Sequence, residues 1–169
     1  IGTTPQMIVK AADGSLLPVP ALESSVVHGR AALAFLVAWL NEAFAGARIV
    51  GVGHRVVHGG PDHSRPVVVT PAILDELRKL EPLAPLHQPY NLGAIDAVAQ
   101  RLPGVPQVAC FDTSFHRGQP AVAELVPLPA ELRKGGLQRY GFHGLSYEYI
   151  ASVLPDIAPV IASGRVIIA

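Results

Sequence analysis

Three polar residues of this chain have the side chains that phosphoryl transfer requires. Arg55 lies in a valine-rich segment, and Asp112 directly follows an apolar run. His143 lies in the glycine-flanked segment Tyr140-Gly141-Phe142-His143-Gly144. An arginine and a histidine can stabilise the charge that spreads over phosphoryl oxygens, and a carboxylate can orient magnesium or the nucleophile. Each residue also has an ordinary explanation, because a strand arginine is often an ion-pair partner, an aspartate after a strand is often a helix cap, and a glycine-flanked aromatic is often a turn.

The seven histidines of the chain raise the alternative of a metal-dependent hydrolase. His54 and His58 are four residues apart, but a zinc-binding pair at this spacing needs a helix with a glutamate base between the histidines. Here the segment is predicted to be a strand, and the residue after His54 is the cation Arg55. We therefore expect His54 and His58 to be hydrogen-bonded core or loop residues. The other histidines available as ligands are His63, His87, His116 and His143.

Two predicted strands position the arginine and the aspartate. Ile49–His58 is rich in valine, and strand alternation places Arg55 and Val57 on the same face. Glycines on that face leave it open to close approach by a ligand or a backbone. Gln107–Phe111 is an apolar run between turn signals and is predicted to be a buried strand. It delivers Asp112 at its carboxyl end, where ligands bind in an α/β sheet.

The remaining segments alternate between helices and breaks, which is typical of an α/β domain. Thr70 is predicted to cap a helix that has Pro71 at its first position and runs to about Leu80. Pro82–Asn91 contains three prolines and is predicted to be a rigid extended loop. Further helices are predicted at Arg30–Ala45, Leu92–Leu102, Pro129–Lys134 and Tyr147–Leu154, the last capped by Ser146, and short strands at Met7–Lys10 and Val166–Ala169.

Composition lowers the expectation of several classes of partner. The chain has 169 residues with 13 Lys and Arg and 13 Asp and Glu, so no net charge steers it toward nucleic acid or an anionic membrane. The longest apolar run, Ala31–Leu40, is far shorter than the roughly 18 residues that a membrane helix needs. The single cysteine, Cys110, fits a reducing compartment, so we expect a cytoplasmic protein. Hydrophobic residues make up 50% of the chain and charged residues 15%, so we expect some apolar surface to contact another domain or subunit.

The candidate residues lie within four longer motifs. These are Gly53-His54-Arg55-Val56-Val57-His58-Gly59-Gly60, Ala84-Pro85-Leu86-His87-Gln88-Pro89-Tyr90-Asn91, Phe111-Asp112-Thr113-Ser114-Phe115-His116 and Arg139-Tyr140-Gly141-Phe142-His143-Gly144-Leu145-Ser146. In this order they resemble the acetate kinases of the acetate and propionate kinase family. The resemblance covers about residues 1–169 and corresponds to the N-terminal half of a family member. It implies an α/β fold of the ribonuclease H-like, actin-like ATPase superfamily, with a mixed sheet flanked by helices.

The resemblance implies a phosphotransferase that makes acetyl phosphate and ADP from acetate and Mg-ATP, reversibly. Arg55 corresponds to the arginine that binds the carboxylate or the phosphoryl group, and His143 to the histidine that stabilises the phosphoryl group in transfer. Asp112 corresponds to the essential aspartate that positions magnesium or acetate. The residues that correspond to the apolar pocket for the acetate methyl group are Val57, Leu86 and Phe142.

The resemblance also implies partners and missing parts. The expected cofactor is Mg²⁺ with ATP, the expected ligands are acetate or propionate, ATP or ADP, and acetyl phosphate, and the full-length protein is expected to be a homodimer. The family's first strand and a serine-rich phosphate loop should precede Ile1, and the adenosine-binding half, with a second catalytic arginine, should follow Ala169. We therefore expect residues 1–169 to form the N-terminal acetate-binding, catalytic domain and to be inactive alone.

Two short segments depart from the family pattern. Leu145-Ser146-Tyr147 and Arg117-Gly118-Gln119-Pro120 differ from the residues common at these positions, which bears on substrate preference rather than on the class of reaction. The alternative from another functional class is a non-catalytic fragment that acts as a binding or assembly module through its apolar surface.

Overall fold

The computed structural model describes residues 6–22 and 29–168. Within these ranges the chain alternates between short strands and helices. The strands are β1 (Val9–Lys10), β2 (Leu16–Leu17), β3 (Val52–Val56), β4 (Val67–Val68) and β5 (Gln107–Phe111), and the helices are α1 (Gly29–Ala43), α2 (Pro71–Arg78), α3 (Gln88–Arg101), α4 (Ala121–Glu124), α5 (Ala130–Arg133), α6 (Gly144–Ile157) and α7 (Pro159–Ala162). None of the helices in the described ranges is long and apolar enough to cross a membrane.

The chain folds into two compact units, and the first contains residues 1–52 and 92–106. Its hairpin pairs β1 with β2 in antiparallel register, with Val9 opposite Leu17. In α1 the Trp39 side chain is buried, and its indole N–H donates to the Pro18 carbonyl oxygen at 3.1 Å. This bond gives the polar edge of a buried indole the partner that it needs. The buried side chains that α3 adds to this unit are Leu92, Ile95, Ala97 and Val98.

The second unit contains residues 53–91 and 107–169 and is built on a three-stranded sheet in the order β3-β5-β4. The Val52 N–H donates to the Pro106 carbonyl, and the Asp112 N–H donates to the Val56 carbonyl, so β3 and β5 run parallel. β4 runs antiparallel to β5, with Val67 opposite Ala109. The sheet is therefore mixed. Its apolar core residues include Val56, Ala109 and Phe111.

Several predicted elements are confirmed. β5 has the predicted bounds, and α1 and α5 lie within two residues of theirs. The Thr70 hydroxyl oxygen accepts from the Ile73 N–H at 3.2 Å at the start of α2, and Pro71 is the first helical residue. The side chain thus satisfies one of the backbone donors that a helix start leaves unpaired.

The prediction of an extended loop over Pro82–Asn91 is wrong. A short 3₁₀ turn covers Glu81–Leu83, and α3 begins at Gln88, four residues before the predicted start. The third proline of the segment, Pro89, lies in the first turn of α3. A proline there breaks no helical hydrogen bond, because the N–H groups of the first turn have no partner inside the helix.

The predicted start of the last long helix is also wrong. Ser146 is the third residue of α6 and not its cap, because the helix begins at Gly144. His143 is the residue before the helix and has left-handed backbone angles, with φ of 58°. The helix also continues past Leu154 and through Pro155 to Ile157. An N-cap formed by a residue with positive φ, without a capping side chain, has no signature in the sequence.

Two of the predicted strands are longer than the observed ones, and a third is not found among the described residues. β3 covers only Val52–Val56 of the predicted Ile49–His58, and β1 covers only Val9–Lys10 of the predicted Met7–Lys10. Residues 166–168 form no strand, and Ala169 lies outside the described residues. Valine-rich composition indicates a strand, but the length of a strand depends on the neighbour that supplies its hydrogen bonds.

Gly59 lies where the chain leaves β3 and packs directly on the neighbouring strand. A Cβ atom at this position would lie 2.8 Å from Cγ of Phe111 and 2.5 Å from the carbonyl oxygen of His63. One of the two clashing groups is backbone and cannot rotate away. Only glycine fits this contact without moving the turn that follows β3.

We expect Gly59→Ala to lower the free energy of unfolding by about 1–3 kcal/mol, the usual cost of overpacking a core. Gly53→Ala is the matched control, because a Cβ at Gly53 would meet no atom within 4 Å. Urea titration of the two variants and the parent chain measures both changes. Equal losses of stability in the two variants would contradict the close packing at Gly59.

Candidate active site

Arg55 and Asp112 form a bidentate ion pair at the carboxyl ends of β3 and β5. The Arg55 Nε donates to both carboxylate oxygens, at 3.0 and 3.1 Å, and Nη2 donates to Oδ2 at 2.7 Å. The Asp112 side chain is only 2% exposed, whereas that of Arg55 is 64% exposed. The hydrogen bonds and charge of Asp112 raise the pKa of the Arg55 guanidinium above its ordinary value. Asp112 thus holds the Nε and Nη2 edge of the Arg55 guanidinium, and the rest of the side chain is open to solvent.

The backbone of Asp112 connects this ion pair to α6. Its carbonyl oxygen accepts from the Gly144 N–H at 2.8 Å, and its N–H donates to the Val56 carbonyl at 3.0 Å. A Cβ at Gly144 would clash with the Asp112 carbonyl and with Cβ of Phe115. Glycine at the first position of α6 therefore allows the helix start to touch the end of β5. This contact brings His143, the preceding residue, to the same edge of the sheet as Asp112.

Phe142 and His143 line a cavity of about 490 Å³. His143 is exposed, and the ring of Phe142 is partly exposed. The Nε2 atom of His116 lies 2.8 Å from the Phe142 carbonyl oxygen, so this nitrogen donates and fixes the backbone before His143. The other lining residues are His116, Gln119, Ala123, Glu124, Arg139, Tyr140, Gly141 and Tyr147. The lining is mixed, with aromatic rings beside both signs of charge.

His58 is a buried core histidine, as expected from the sequence. Its Nδ1 accepts from the Gly60 N–H at 2.8 Å. Its ring packs edge-on against the rings of Tyr140 and Phe142, with distances between ring centres of 4.5 and 5.8 Å. Burial lowers the pKa of His58, because an imidazolium would lose its hydration. Since Nδ1 accepts a hydrogen bond, the neutral ring is the form that the fold requires.

His54 is half-buried in β3, and its Nε2 lies 2.7 Å from Oε1 of Gln107. Burial lowers the pKa of His54, and the hydrogen bond to Gln107 partly opposes that effect. In residues 6–22 and 29–168 no group of three or more His, Cys, Asp or Glu side chains could hold a metal ion. The described residues thus give no support to a histidine-based metal hydrolase.

The predicted methyl-pocket residues differ in their surroundings. Val57 is half-buried directly after β3, and Phe142 contacts His58, the next residue along the chain from Val57. Leu86 is 78% exposed in the turn before α3. Its role in a pocket stays a prediction.

Sequence reasoning missed three polar residues that hold the backbone around the site. The side chains of Gln88 and Asn91 accept from the backbone N–H groups of His58 and Val57, and the Thr113 hydroxyl accepts from the Gly59 N–H. The only signal for them was position, since all three stand in the motifs beside the candidate site residues. Their partners are 30 to 54 residues away in the chain, so local pattern does not show them.

The profile of the acetokinase family matches residues 20–160. The chain belongs to this family. It is 48% identical over its whole length to acetate kinase from Rhodopseudomonas palustris strain ATCC BAA-98 / CGA009, and covers 42% of that protein. It is 52% identical over 82% of its length to acetate kinase from Methylocella silvestris, covering 34% of that relative. The chain thus spans less than half the length of these curated acetokinase relatives.

Solved structures of a propionate kinase and an acetate kinase share the fold. A propionate kinase from Francisella tularensis matches 94% of this chain and 40% of its own, with a TM-score of 0.76 and 31% identity. Acetate kinase from Porphyromonas gingivalis matches 90% of this chain and 39% of its own, with a TM-score of 0.70 and 32% identity. The predicted fold class, an actin-like ATPase type of α/β fold with a mixed sheet and flanking helices, is confirmed.

The lowered pKa values of His54 and His58 predict an acid-sensitive fold. An unfolded histidine has a pKa near 6.5, and both His54 and His58 have lower values when folded. Below pH 6.5 the unfolded chain therefore binds more protons than the folded one, so stability falls as the pH is lowered through this value toward the folded-state pKa values. We expect the free energy of unfolding to be smaller at about pH 5.5 than at about pH 7.5 in urea titrations.

The variant His58→Asn tests the assignment to His58. Asparagine keeps an oxygen that can accept from the Gly60 N–H but does not titrate. The variant should lose part of the stability difference between the two pH values. An unchanged difference would show that His58 does not contribute to the acid sensitivity.

Proposed function

We propose that the complete protein carrying this chain transfers the γ-phosphoryl group of ATP to the carboxylate of acetate. A carboxylate oxygen forms the new bond to phosphorus, the bond to the bridging oxygen of ADP breaks, and acetyl phosphate and ADP are the products. The reaction runs in both directions. The observation that carries the proposal is the fixed Arg55–Asp112 pair beside the start of α6. Support comes from relatives named acetate kinase that match the whole length of this chain.

In this proposal Arg55 binds the negative charge of the substrate. Asp112 holds Nε and Nη2, so the guanidinium keeps one orientation before the substrate arrives. The exposed part of the side chain remains available for a carboxylate or a phosphoryl oxygen. A guanidinium suits both, because its planar fork donates two parallel hydrogen bonds. Preorganised donors of this kind stabilise a transition state without reorganisation during the reaction.

His143 is proposed to stabilise the phosphoryl group during transfer. It is exposed, it lines the cavity, and its backbone is fixed on both sides by the His116 bond to Phe142 and the Gly144 bond to Asp112. An N–H of its ring can donate to a phosphoryl oxygen as charge spreads over the equatorial positions. Asp112 then acts mainly by orienting Arg55.

The apolar end of the substrate is assigned to Val57, Leu86 and Phe142. Val57 follows Arg55 by two residues, so a ligand held by the guanidinium would have its methyl group near the valine. Such a pocket separates acetate from propionate weakly, since one methylene changes binding by about 1–3 kcal/mol. One structural relative is a propionate kinase, and we propose acetate or propionate as the substrate class.

Magnesium is the metal that the family implies for the nucleotide. Mg²⁺ usually binds one or two carboxylates together with substrate phosphates and water, so it needs no cage made only of protein groups. Asp112 fits this limited role, since a carboxylate has lone pairs beyond those used by three hydrogen bonds. When bound with ATP, the ion would neutralise charge on the phosphates.

The remaining assignments concern the whole protein. We propose that residues 1–169 form its N-terminal acetate-binding domain and that ATP binding needs further sequence, because the chain spans 42% of a relative's length. We also propose a homodimer in the cytoplasm for the complete protein. The alternative of a binding module is supported by apolar side chains exposed at the end of the second unit, namely Tyr149, Ile157, Val160, Ile161 and Ile167.

We expect residues 1–169 alone to make no acyl phosphate from ATP and acetate, and the complete protein to make it. Trapping of the acyl phosphate with hydroxylamine measures both. Equal turnover by the short chain would overturn the claim that further sequence is needed. No turnover by the complete protein would overturn the kinase proposal. Stable self-association of the inactive short chain, measured by sedimentation, would favour the binding module.

Substitution of Arg55 tests the residue that carries the proposal. In the complete protein Arg55→Ala should lower kcat/KM for acetate about a hundredfold or more, because a charged transition-state donor is lost. Arg55→Lys should retain part of the activity, since it keeps the charge but not the two-pronged fork. The control is Arg65→Ala, which removes an exposed arginine of the same unit. A similar loss in the control, or none in Arg55→Ala, would contradict the role.

A further inference from the structure

Two amide side chains continue the hydrogen bonding of β3 beyond its last residue. β3 ends at Val56, and the next two backbone N–H groups are bonded to side chains of α3. The Val57 N–H donates to Oδ1 of Asn91 at 3.0 Å, and the His58 N–H donates to Oε1 of Gln88 at 3.2 Å. Nε2 of Gln88 returns a bond to the His58 carbonyl at 3.1 Å. The end of the strand is therefore held as if a further strand lay beside it.

The spacing of the two amides explains how one helix makes this contact. Gln88 and Asn91 are three residues apart at the start of α3, so their side chains lie on the same face of the helix. Gln88 is fully buried, and its Nε2 also donates to the Leu77 carbonyl in α2 at 3.3 Å. With Nε2 facing two carbonyls and Oε1 facing an N–H, its amide has one favourable orientation. The bonds to the strand end are thereby fixed relative to α2.

We propose that Gln88 and Asn91 are positioning residues for the substrate-binding side chains of Arg55 and Val57. Neither amide needs to touch a substrate. They fix the backbone of the two residues that follow β3, and that backbone sets where the Val57 side chain lies relative to the guanidinium two residues earlier. A displacement of about 1 Å in such a site can cost about a hundredfold in rate. The inference rests on the proposed function, because it assumes that Arg55 and Val57 contact the carboxylate substrate.

Substitution of Asn91 can distinguish a positioning role from a general role in folding. Gln88 makes three buried hydrogen bonds, so its loss would leave several polar groups unpaired and destabilise the whole unit. Asn91 is only half-buried, and its bond to the Val57 N–H involves one acceptor oxygen. In Asn91→Asp a carboxylate oxygen can accept the same bond, whereas Asn91→Ala removes it.

The experiment compares these variants in the complete protein. We expect Asn91→Ala to raise KM for acetate and lower kcat/KM for acetate at least about tenfold, with KM for ATP unchanged. Asn91→Asp should restore most of the loss. Hydrogen exchange of the Val57 amide should be at least about tenfold faster in Asn91→Ala than in the parent protein and slow again in Asn91→Asp. Asn41→Ala, at the exposed Asn41 of α1, is the matched control.

Each outcome decides between the claims. A parent protein that makes no acyl phosphate overturns the proposed function and, with it, the positioning role, whereas Val57 exchange still reports whether Asn91 holds the strand end. In an active parent protein, kinetics of Asn91→Ala that match those of Asn41→Ala overturn the inference alone. Equal changes in KM for ATP and acetate, without rescue by Asn91→Asp, would show a general structural role and also overturn it.

Discussion

A buried carboxylate is among the most costly groups that a protein can contain unless it is paired, and the second unit of this chain is arranged around a paired one, Asp112. Asp112 is nearly inaccessible, yet it is compensated by three hydrogen bonds from Arg55. The arginine supplies the charge without being buried itself, so it keeps most of its hydration. Deep burial of both partners would cost more than their attraction returns. Burial of one partner anchors the pair and leaves the guanidinium usable.

This arrangement depends on the parallel pairing of β3 and β5. In a parallel pair the carboxyl ends of both strands reach the same edge, so Arg55 and the residue after β5 become neighbours although they are 57 positions apart. An antiparallel pair would have separated them by the length of a strand. The same edge then receives the start of α6, and glycine at residue 144 allows that helix to approach the Asp112 carbonyl. The parallel direction of β3 and β5 and the missing Cβ at Gly144 thus explain why the ends of both strands and the start of α6 lie together.

Sequence pattern was sufficient where the cause of a structure is local. The bounds of β5 followed from an apolar run between turn signals, and the start of α2 followed from Thr70 and Pro71. It was insufficient where the cause is distant or depends on backbone angles. Pro89 predicts a break although it lies in the first turn of α3, and the left-handed His143 has no marker in its residue type. The candidate residues could be named, but the partners that hold the backbone beside them could not.

The residues of the site fall into two groups, which we call anchors when they are buried and presenters when they are exposed. Asp112, Gln88, Thr113 and His58 are buried, and their hydrogen bonds go to the protein itself. Arg55, Phe142 and His143 are exposed and belong to segments that the anchors fix. Because the anchors are buried and most of their hydrogen-bonding groups face the protein, they offer a ligand fewer contacts than the presenters, which face solvent. This division meets the physical requirement for electrostatic preorganisation, in which donors reach their working positions when the protein folds. It follows that substitutions of anchors should act on geometry and stability together, while substitutions of presenters should act mainly on binding and rate.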